Sequence, residues 1–313
     1  MSNLLHRLLG RALSRTPTTA RDGVFGVMRA RPLPTIYAIG DVHGRLDLYR
    51  ELEARIASDE VTGEKLVVLL GDMIDRGPDS AGMIDHLLAP PPAGLARLSL
   101  AGNHEDMALR FLRAPDPKAE WLAHGGVETL ASYGIVRDFA EAQSLPRKVL
   151  AMRVAAHVPQ EHLDFLAAMP LFLHAGPFFL CHAGIDPALP LERQNRQTLL
   201  WSRRFATPEG PPPRGLAPGG SVIQGHMPIA RAEQRDWRIN LDTGAYITGQ
   251  LSAVRLAEGY SPEFFSTGEA GVSAANRPLS NLEMQGGACW VCKYWPGAFS
   301  SERSDFKTQA REY

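Results

Sequence analysis

From Thr35 onward the chain repeats one pattern of positions: a short apolar run, a turn rich in Gly and Asp, then a stretch with helical spacing of apolar residues. Thr35 to Ile39 leads into Gly40-Asp41-Val42-His43-Gly44, and Lys65 to Leu70 leads into Gly71-Asp72-Met73-Ile74-Asp75-Arg76-Gly77. Arg97 to Leu100 leads into Gly102-Asn103-His104-Glu105. Short, nearly continuous apolar runs bounded by turn residues read as strands buried on both faces. Their alternation with helical stretches such as Leu46 to Ala57 predicts βαβ units around a largely parallel sheet. Ligands of such sheets bind beyond the carboxyl ends of the strands, where all three polar turns fall.

Between Pro115 and Pro170 the rhythm changes to mostly helical spacing, as in Ala119 to Tyr133 and Glu161 to Met169, and predicts a helical insertion over residues 115–170 that covers or borders the site. Strands resume at Leu171 to Leu173 and Phe178 to Cys181, the latter running into His182-Ala183-Gly184. Thr207 to Gly220, dense in Pro and Gly, predicts a loop; Ser221 to Gln224 then precedes Gly225-His226. Arg238 to Leu241 and Leu251 to Leu256, on either side of Asp242-Thr243-Gly244, predict strands of an antiparallel sheet. Together these form one α/β catalytic domain over residues 35–258.

The two ends read differently. Leu4, Leu5, Leu8, Leu9 and Leu13, interleaved with Arg7, Arg11 and Arg15, predict a basic amphipathic tail over residues 1–34, either frayed or docked on the body or in weak contact with a membrane surface. Arg31-Pro32-Leu33-Pro34 ends that pattern. Beyond Gly259 the periodicity fades, which predicts a weakly ordered tail over 259–313, and its lone Cys289-Trp290-Val291-Cys292 has no second pair to make a zinc site.

Composition narrows the function classes. With 44% hydrophobic and 21% charged residues the chain reads as a soluble globular protein, and a net charge of −1 gives no whole-molecule attraction to nucleic acid. Three cysteines are too few for a disulfide framework, and no apolar run reaches the ~20 residues of a membrane span, so a cytoplasmic enzyme is expected. Cys181, inside an apolar run, is expected to be an inert buried thiol. His86, His124, His157, His162 and His174 lie outside the polar turns and are expected at the surface or in packing.

The turns carry the chemistry. Asp41, His43, Asp72, Asn103, His182 and His226 are oxygen and imidazole donors placed directly after apolar runs, a set that suits manganese, iron or zinc. Two ions close together need a shared carboxylate, and Asp72 is the natural bridge. Asp41, His43 and Asp72 would hold one ion, and Asp72, Asn103, His182 and His226 the other. A water shared by two divalent ions is hydroxide near neutral pH and can attack phosphorus directly. Planar guanidinium groups match phosphoryl oxygens: Arg76 is the first candidate and Arg203, with Arg204 beside it, the second. His104 can protonate the leaving oxygen if a carboxylate orients it, and Asp75 is the candidate partner.

The three turns Gly40 to Gly44, Gly71 to Gly77 and Gly102 to Glu105, in that order, resemble the signature motifs of the phosphoprotein phosphatase (PPP) family, within the calcineurin-like metallophosphoesterases. His182-Ala183-Gly184, Leu200-Trp201-Ser202-Arg203 and Gly225-His226 resemble its later motifs. The resemblance implies a central β-sandwich flanked by helices on both sides, a dinuclear site with the ligands named above, and His104 with Asp75 as an acid dyad. Ala101 stands where eukaryotic-type members carry Arg, and Trp121 to Gly134, with Gly125-Gly126, is similar to the bacterial branch. That branch includes serine/threonine protein phosphatases and symmetrical diadenosine tetraphosphatases. The expectation is therefore a manganese-dependent serine/threonine protein phosphatase acting on phosphoproteins. The alternatives are a symmetrical diadenosine tetraphosphatase acting on dinucleoside polyphosphates, and a phosphate-binding scaffold without activity.

Overall fold

The computed structural model describes residues 26–28, 33–61, 63–203 and 210–268. The apolar runs form strands close to where the pattern puts them: β1 Gly26–Met28, β2 Thr35–Ile39, β3 Lys65–Leu69, β4 Leu95–Ser99, β5 Phe172–Ala175, β6 Phe178–Cys181, β7 Ser221–Gln224, β8 Glu233–Arg235, β9 Arg238–Asn240, β10 Ser252–Leu256 and β11 Glu263–Ser266. They make two sheets, one ordered β11-β10-β2-β3-β4 and the other β1-β5-β6-β7-β9-β8. β2, β3 and β4 are parallel, with Ile36 opposite Leu66 and Leu66 opposite Ala96, whereas β10 runs antiparallel to β2.

Ile36, Ala38, Leu66, Val68, Ala96 and Val254 from one sheet share an apolar cluster with Leu173, Leu180, Ile223 and Ile239 from the other. This is the interior of a β-sandwich. The alternating residues Tyr37, Ile39, Val67 and Leu69 belong to a second cluster with Leu52 and Ile56 of α1 (Leu46–Ser58) and Met83 and Ile84 of α2 (Ser80–Leu88). That cluster also holds Phe179, Cys181 and Val222, with Leu199 and Leu200 of the later helix Arg196–Trp201. Both outer faces are thus apolar. The sandwich flanked by helices matches the fold expected from the resemblance; β2, β3 and β4 are parallel as the βαβ pattern predicts, and β10 and β6 add antiparallel pairs to the two sheets.

Arg238 to Leu241 and Leu251 to Leu256 do become strands, but they do not pair. β9 adds to β7 in one sheet and β10 adds to β2 in the other, so the segment between them crosses the end of the sandwich. Two strands also lie in segments read as tails. β1 pairs with β5, and β11 pairs with β10 at the sheet edge, where only part of its surface is covered and a clear apolar alternation is not needed. The leucine-rich segment Leu4 to Arg15 and the Cys289/Cys292 pair lie outside the described residues.

The insertion is helical. After α3 (Asn103–Arg113) come a 3₁₀ turn Glu120–His124, then α4 Gly126–Ser132, α5 Phe139–Ser144, α6 Arg147–His157 and α7 Gln160–Ala168. The single helix expected over Ala119 to Tyr133 is broken at Gly125, whose φ is 103°. No helix among the described residues is long and apolar enough to cross a membrane.

Candidate active site

Because β2, β3 and β4 are parallel, the turns that follow them meet at one end of the sandwich, and the turns after β6 and β7 meet them there. Asp72 is the pivot. Its Oδ1 lies 3.4 Å from His182 Nε2, and its Oδ2 lies 3.8 Å from both His43 Nε2 and His104 Nε2. His182 Nδ1 is 3.0 Å from the Leu70 carbonyl and His43 Nδ1 is 2.9 Å from the Ile74 carbonyl. A carbonyl only accepts, so each Nδ1 carries a proton, and once a ring gives up its second proton its Nε2 presents a lone pair inward. His182 Nε2 meets Asn103 Oδ1 at 2.8 Å and His226 Nδ1 at 3.2 Å. Freed of its proton, this convergence of nitrogen and oxygen lone pairs makes a cradle for cations.

The donor atoms group as His43, Asp72 and His104 on one side and Asp72, His182 and His226 on the other, each set within 4.8 Å of one another. Asp72 is common to both, as a bridge would be. Asp41 is buried alongside and accepts the His226 N–H at 3.0 and 3.2 Å through its two oxygens. Burial and the neighbouring Asp242 push its carboxyl well above the usual range. Burial pushes the His182 imidazolium down, yet the Asp72 and Asp41 carboxylates outweigh it and raise the group to about 9. The cluster carries more negative charge than its own hydrogen bonds satisfy, and a cation relieves it. Carboxylate, amide oxygen and imidazole donors together fit a divalent metal ion.

The backbone here is strained. Six non-glycine residues among those described have positive φ, and five of them, His43, Asp72, Asp75, Arg76 and His226, are in this site. Each costs roughly 1–3 kcal/mol and persists only where surrounding bonds fix it. At Asp72 Glu105 supplies them: its carboxylate accepts the N–H groups of Asp72, Met73 and Gly102, each at 2.8 Å. Burial, with the charge of Asp72, raises Glu105 to about 7. Glycine is needed where the turns close on the carboxylates. A Cβ at Gly102 would sit 2.1 Å from Asp72 Oδ1, and one at Gly225 would sit 2.0 Å from Asp41 Oδ1.

His104 Nδ1 is 2.6 Å from Asp75 Oδ2, so the sequence-predicted pair is in contact. Arg76 Nη2 lies 3.0 Å from His104 Nε2, and Arg76 Nη1 donates to the Tyr246 hydroxyl at 3.2 Å, with the guanidinium carbon 4.9 Å from the Tyr246 ring. The exposed Arg203 follows the helix Arg196–Trp201; burial first, and charges including that of Arg203, lower His226 to about 3. Arg204 is outside the described residues.

Four residues at the site went unread in the sequence as functional: Glu105, Tyr246, Trp121 and Thr129. Trp121 Nε1 donates to Asp75 Oδ2 at 2.6 Å and the Thr129 hydroxyl to Asp75 Oδ1 at 2.6 Å. Glu105 and Trp121 lay within motifs noted for their resemblance, and Tyr246 two residues beyond the Asp242-Thr243-Gly244 turn, but nothing in spacing assigned them partners. Elsewhere His162 is buried between the Tyr133 hydroxyl at 2.7 Å and Asp85 at 2.9 Å, a packing role as expected, and burial pushes the Cys181 thiol up to about 12.

The family described as calcineurin-like phosphoesterase matches residues 34–242. The chain belongs to that family. As a calcineurin-like phosphoesterase it is a metallophosphoesterase, a hydrolase. Among curated relatives, the asymmetrical bis(5'-nucleosyl)-tetraphosphatase PrpE of Oceanobacillus iheyensis is 26% identical over 70% of this chain and 88% of its own length. Serine/threonine-protein phosphatase 1 of Salmonella typhimurium is 28% identical over 75% of this chain and 98% of its own. A crystal structure of a protein proposed to be a diadenosine tetraphosphatase has a TM-score of 0.51 at 20% identity, covering 77% of this chain and 95% of that one, a likeness of fold. The curated tetraphosphatase relatives are asymmetrical, where the motifs alone suggest a symmetrical enzyme as the alternative.

Proposed function

We propose that this phosphoesterase hydrolyses phosphomonoesters of alcohols, with phosphoserine and phosphothreonine in proteins as the substrate class. Asp41, His43 and Asp72 would hold one divalent cation and Asp72, Asn103, His182 and His226 a second, with manganese the expected metal. Such a pair of cations supplies an acidified water as nucleophile and offsets the charge gathered on the phosphoryl oxygens. Arg76 and Arg203 bind those oxygens and orient the group. As the ester P–O bond breaks, the departing oxygen keeps its electron pair and takes the Nε2 proton of a His104 imidazolium, which is held at Nδ1 by Asp75 while Arg76 turns from Nε2 to the phosphoryl oxygens.

The observation that carries the reading is the 2.6 Å contact between His104 and Asp75 beside Arg76. A proton donor matters most when the leaving group is strongly basic. The alkoxide of a serine is far more basic than a nucleoside phosphate, so a buttressed acid dyad supports an alkyl phosphomonoester as substrate. A second reading, asymmetrical hydrolysis of dinucleoside polyphosphates, is favoured by the PrpE relatives.

The test is turnover of a phosphoserine peptide and of diadenosine tetraphosphate by the same metal-loaded protein. Higher kcat/KM on the peptide is expected. Turnover of the nucleotide alone would overturn the proposal, with ATP plus AMP marking the asymmetrical reaction and two ADP the symmetrical one. Failure to hydrolyse even p-nitrophenyl phosphate would leave a phosphate-binding scaffold.

A further inference from the structure

We propose that Trp121 and Thr129, on the helical insertion, are positioning residues for proton donation: they fix the Asp75 carboxylate and, through it, the His104 imidazole. The inference rests on the reading of His104 as proton donor. Asp75 is completely buried, and its carboxylate receives donors from both elements that enclose it. Oδ2 accepts from His104 Nδ1 and from Trp121 Nε1, both at 2.6 Å, and Oδ1 accepts from the Thr129 hydroxyl at 2.6 Å. The backbone of Asp75, at a φ of 72°, is held as well, since its N–H lies 3.0 Å from both the Ser80 and the Thr129 hydroxyl oxygens. Bonds to both oxygens leave the carboxylate one orientation. His104 is then held with Nδ1–H on Asp75, and in the imidazolium form its Nε2–H is the proton offered to the leaving oxygen.

The segment between the two residues acts on the neighbouring arginine. The Gly125 carbonyl accepts the Arg76 N–H at 3.1 Å, and a Cβ at Gly125 would lie 2.5 Å from Arg76 Cγ. A Cβ at Gly126 would lie 2.4 Å from the Trp121 ring. The Trp121 indole packs on Phe111 of α3, with ring centroids 4.7 Å apart, so it is anchored to the helix that begins at Asn103 and His104. The spacing of Trp121, Gly125, Gly126 and Thr129 is therefore the spacing needed to hold Asp75 and Arg76 in their left-handed conformations.

The experiment compares esters of different leaving-group basicity in Trp121→Phe, which keeps an aromatic ring on Phe111, and Thr129→Val, which keeps the shape and removes the hydroxyl. Turnover of a phosphoserine peptide is expected to fall about 10- to 100-fold, part of the ~10² to 10⁴-fold that proton donation contributes, while p-nitrophenyl phosphate, with its weakly basic leaving group, changes little. KM and bound metal should be unchanged, Thr129→Ser should recover the activity, and Trp121→Phe added to Asp75→Asn should cost nothing further. In zinc-loaded protein, the NMR resonance of the His104 Nδ1 proton should move in Thr129→Val and stay in place in Thr129→Ser. Equal losses on both esters, or additive losses in the double variant, would reduce Trp121 and Thr129 to packing and overturn the inference. If His104→Asn and Asp75→Asn themselves slow both esters equally, the proton-donor reading fails, and the inference falls with it.

Discussion

Glu105 holds Asp72 by its backbone: the Glu105 carboxylate accepts the Asp72 N–H at 2.8 Å while the Asp72 carboxylate faces His43, His104 and His182. One buried acid thus sets the left-handed turn from which the other acid reaches the cation cradle. Glu105→Gln can accept with a single oxygen only and should leave a backbone N–H unpaired, a cost of about 1–3 kcal/mol. Thermal unfolding should show that loss, and metal titration should show affinity weakened about 10- to 100-fold, as for other residues that support ligands. Wild-type metal affinity in the variant would refute the role.

His104→Asn should keep its metal and lose most turnover of alkyl phosphates, by about 10²- to 10⁴-fold. Metal analysis beside kcat checks this. Unchanged kcat would remove His104 from the mechanism.

Asp72 is shared by the two donor groups, so Asp72→Asn should weaken both cation sites together rather than one. Equilibrium dialysis gives the stoichiometry, and a variant retaining two tightly held ions would contradict the bridging assignment.

Stability without metal should fall as pH rises. His182 has a folded pKa of about 9 against an ordinary 6.5, so the folded state keeps a proton that the unfolded chain has released. Its contribution is complete below pH 6.5 and gone above about 9. Glu105, raised from 4.5 to about 7, acts in the same direction over the lower window. His226 opposes them, but only as pH climbs from about 3 to 6.5. The Tm of metal-stripped protein should therefore decline between pH 6.5 and 9, and added manganese should raise it most at the upper end. A flat or rising Tm over that range would contradict the excess negative charge of the cluster.

The local rules were legible in the chain. Short apolar runs followed by Gly- and Asp-rich turns gave the strands β2, β3, β6 and β7 and put donors at their ends, because burial and turn chemistry act over a few residues and leave their mark in order along the chain. The pairing of His104 with Asp75 and the central place of Asp72 followed once those ends were taken to converge. Tertiary structure alone decided the rest. The strands divide between two sheets of the expected sandwich in an order the chain does not spell out, and β9 and β10 part company, because pairing is chosen among strands far apart in sequence. The insertion was visible as helix, but not that Trp121 and Thr129 would reach Asp75, 46 and 54 residues away. Glu105 as the clamp on Asp72, and Tyr246 beside Arg76, were hidden for the same reason: a hydrogen bond between distant residues leaves no period in the sequence, and only the folded chain brings donor and acceptor together.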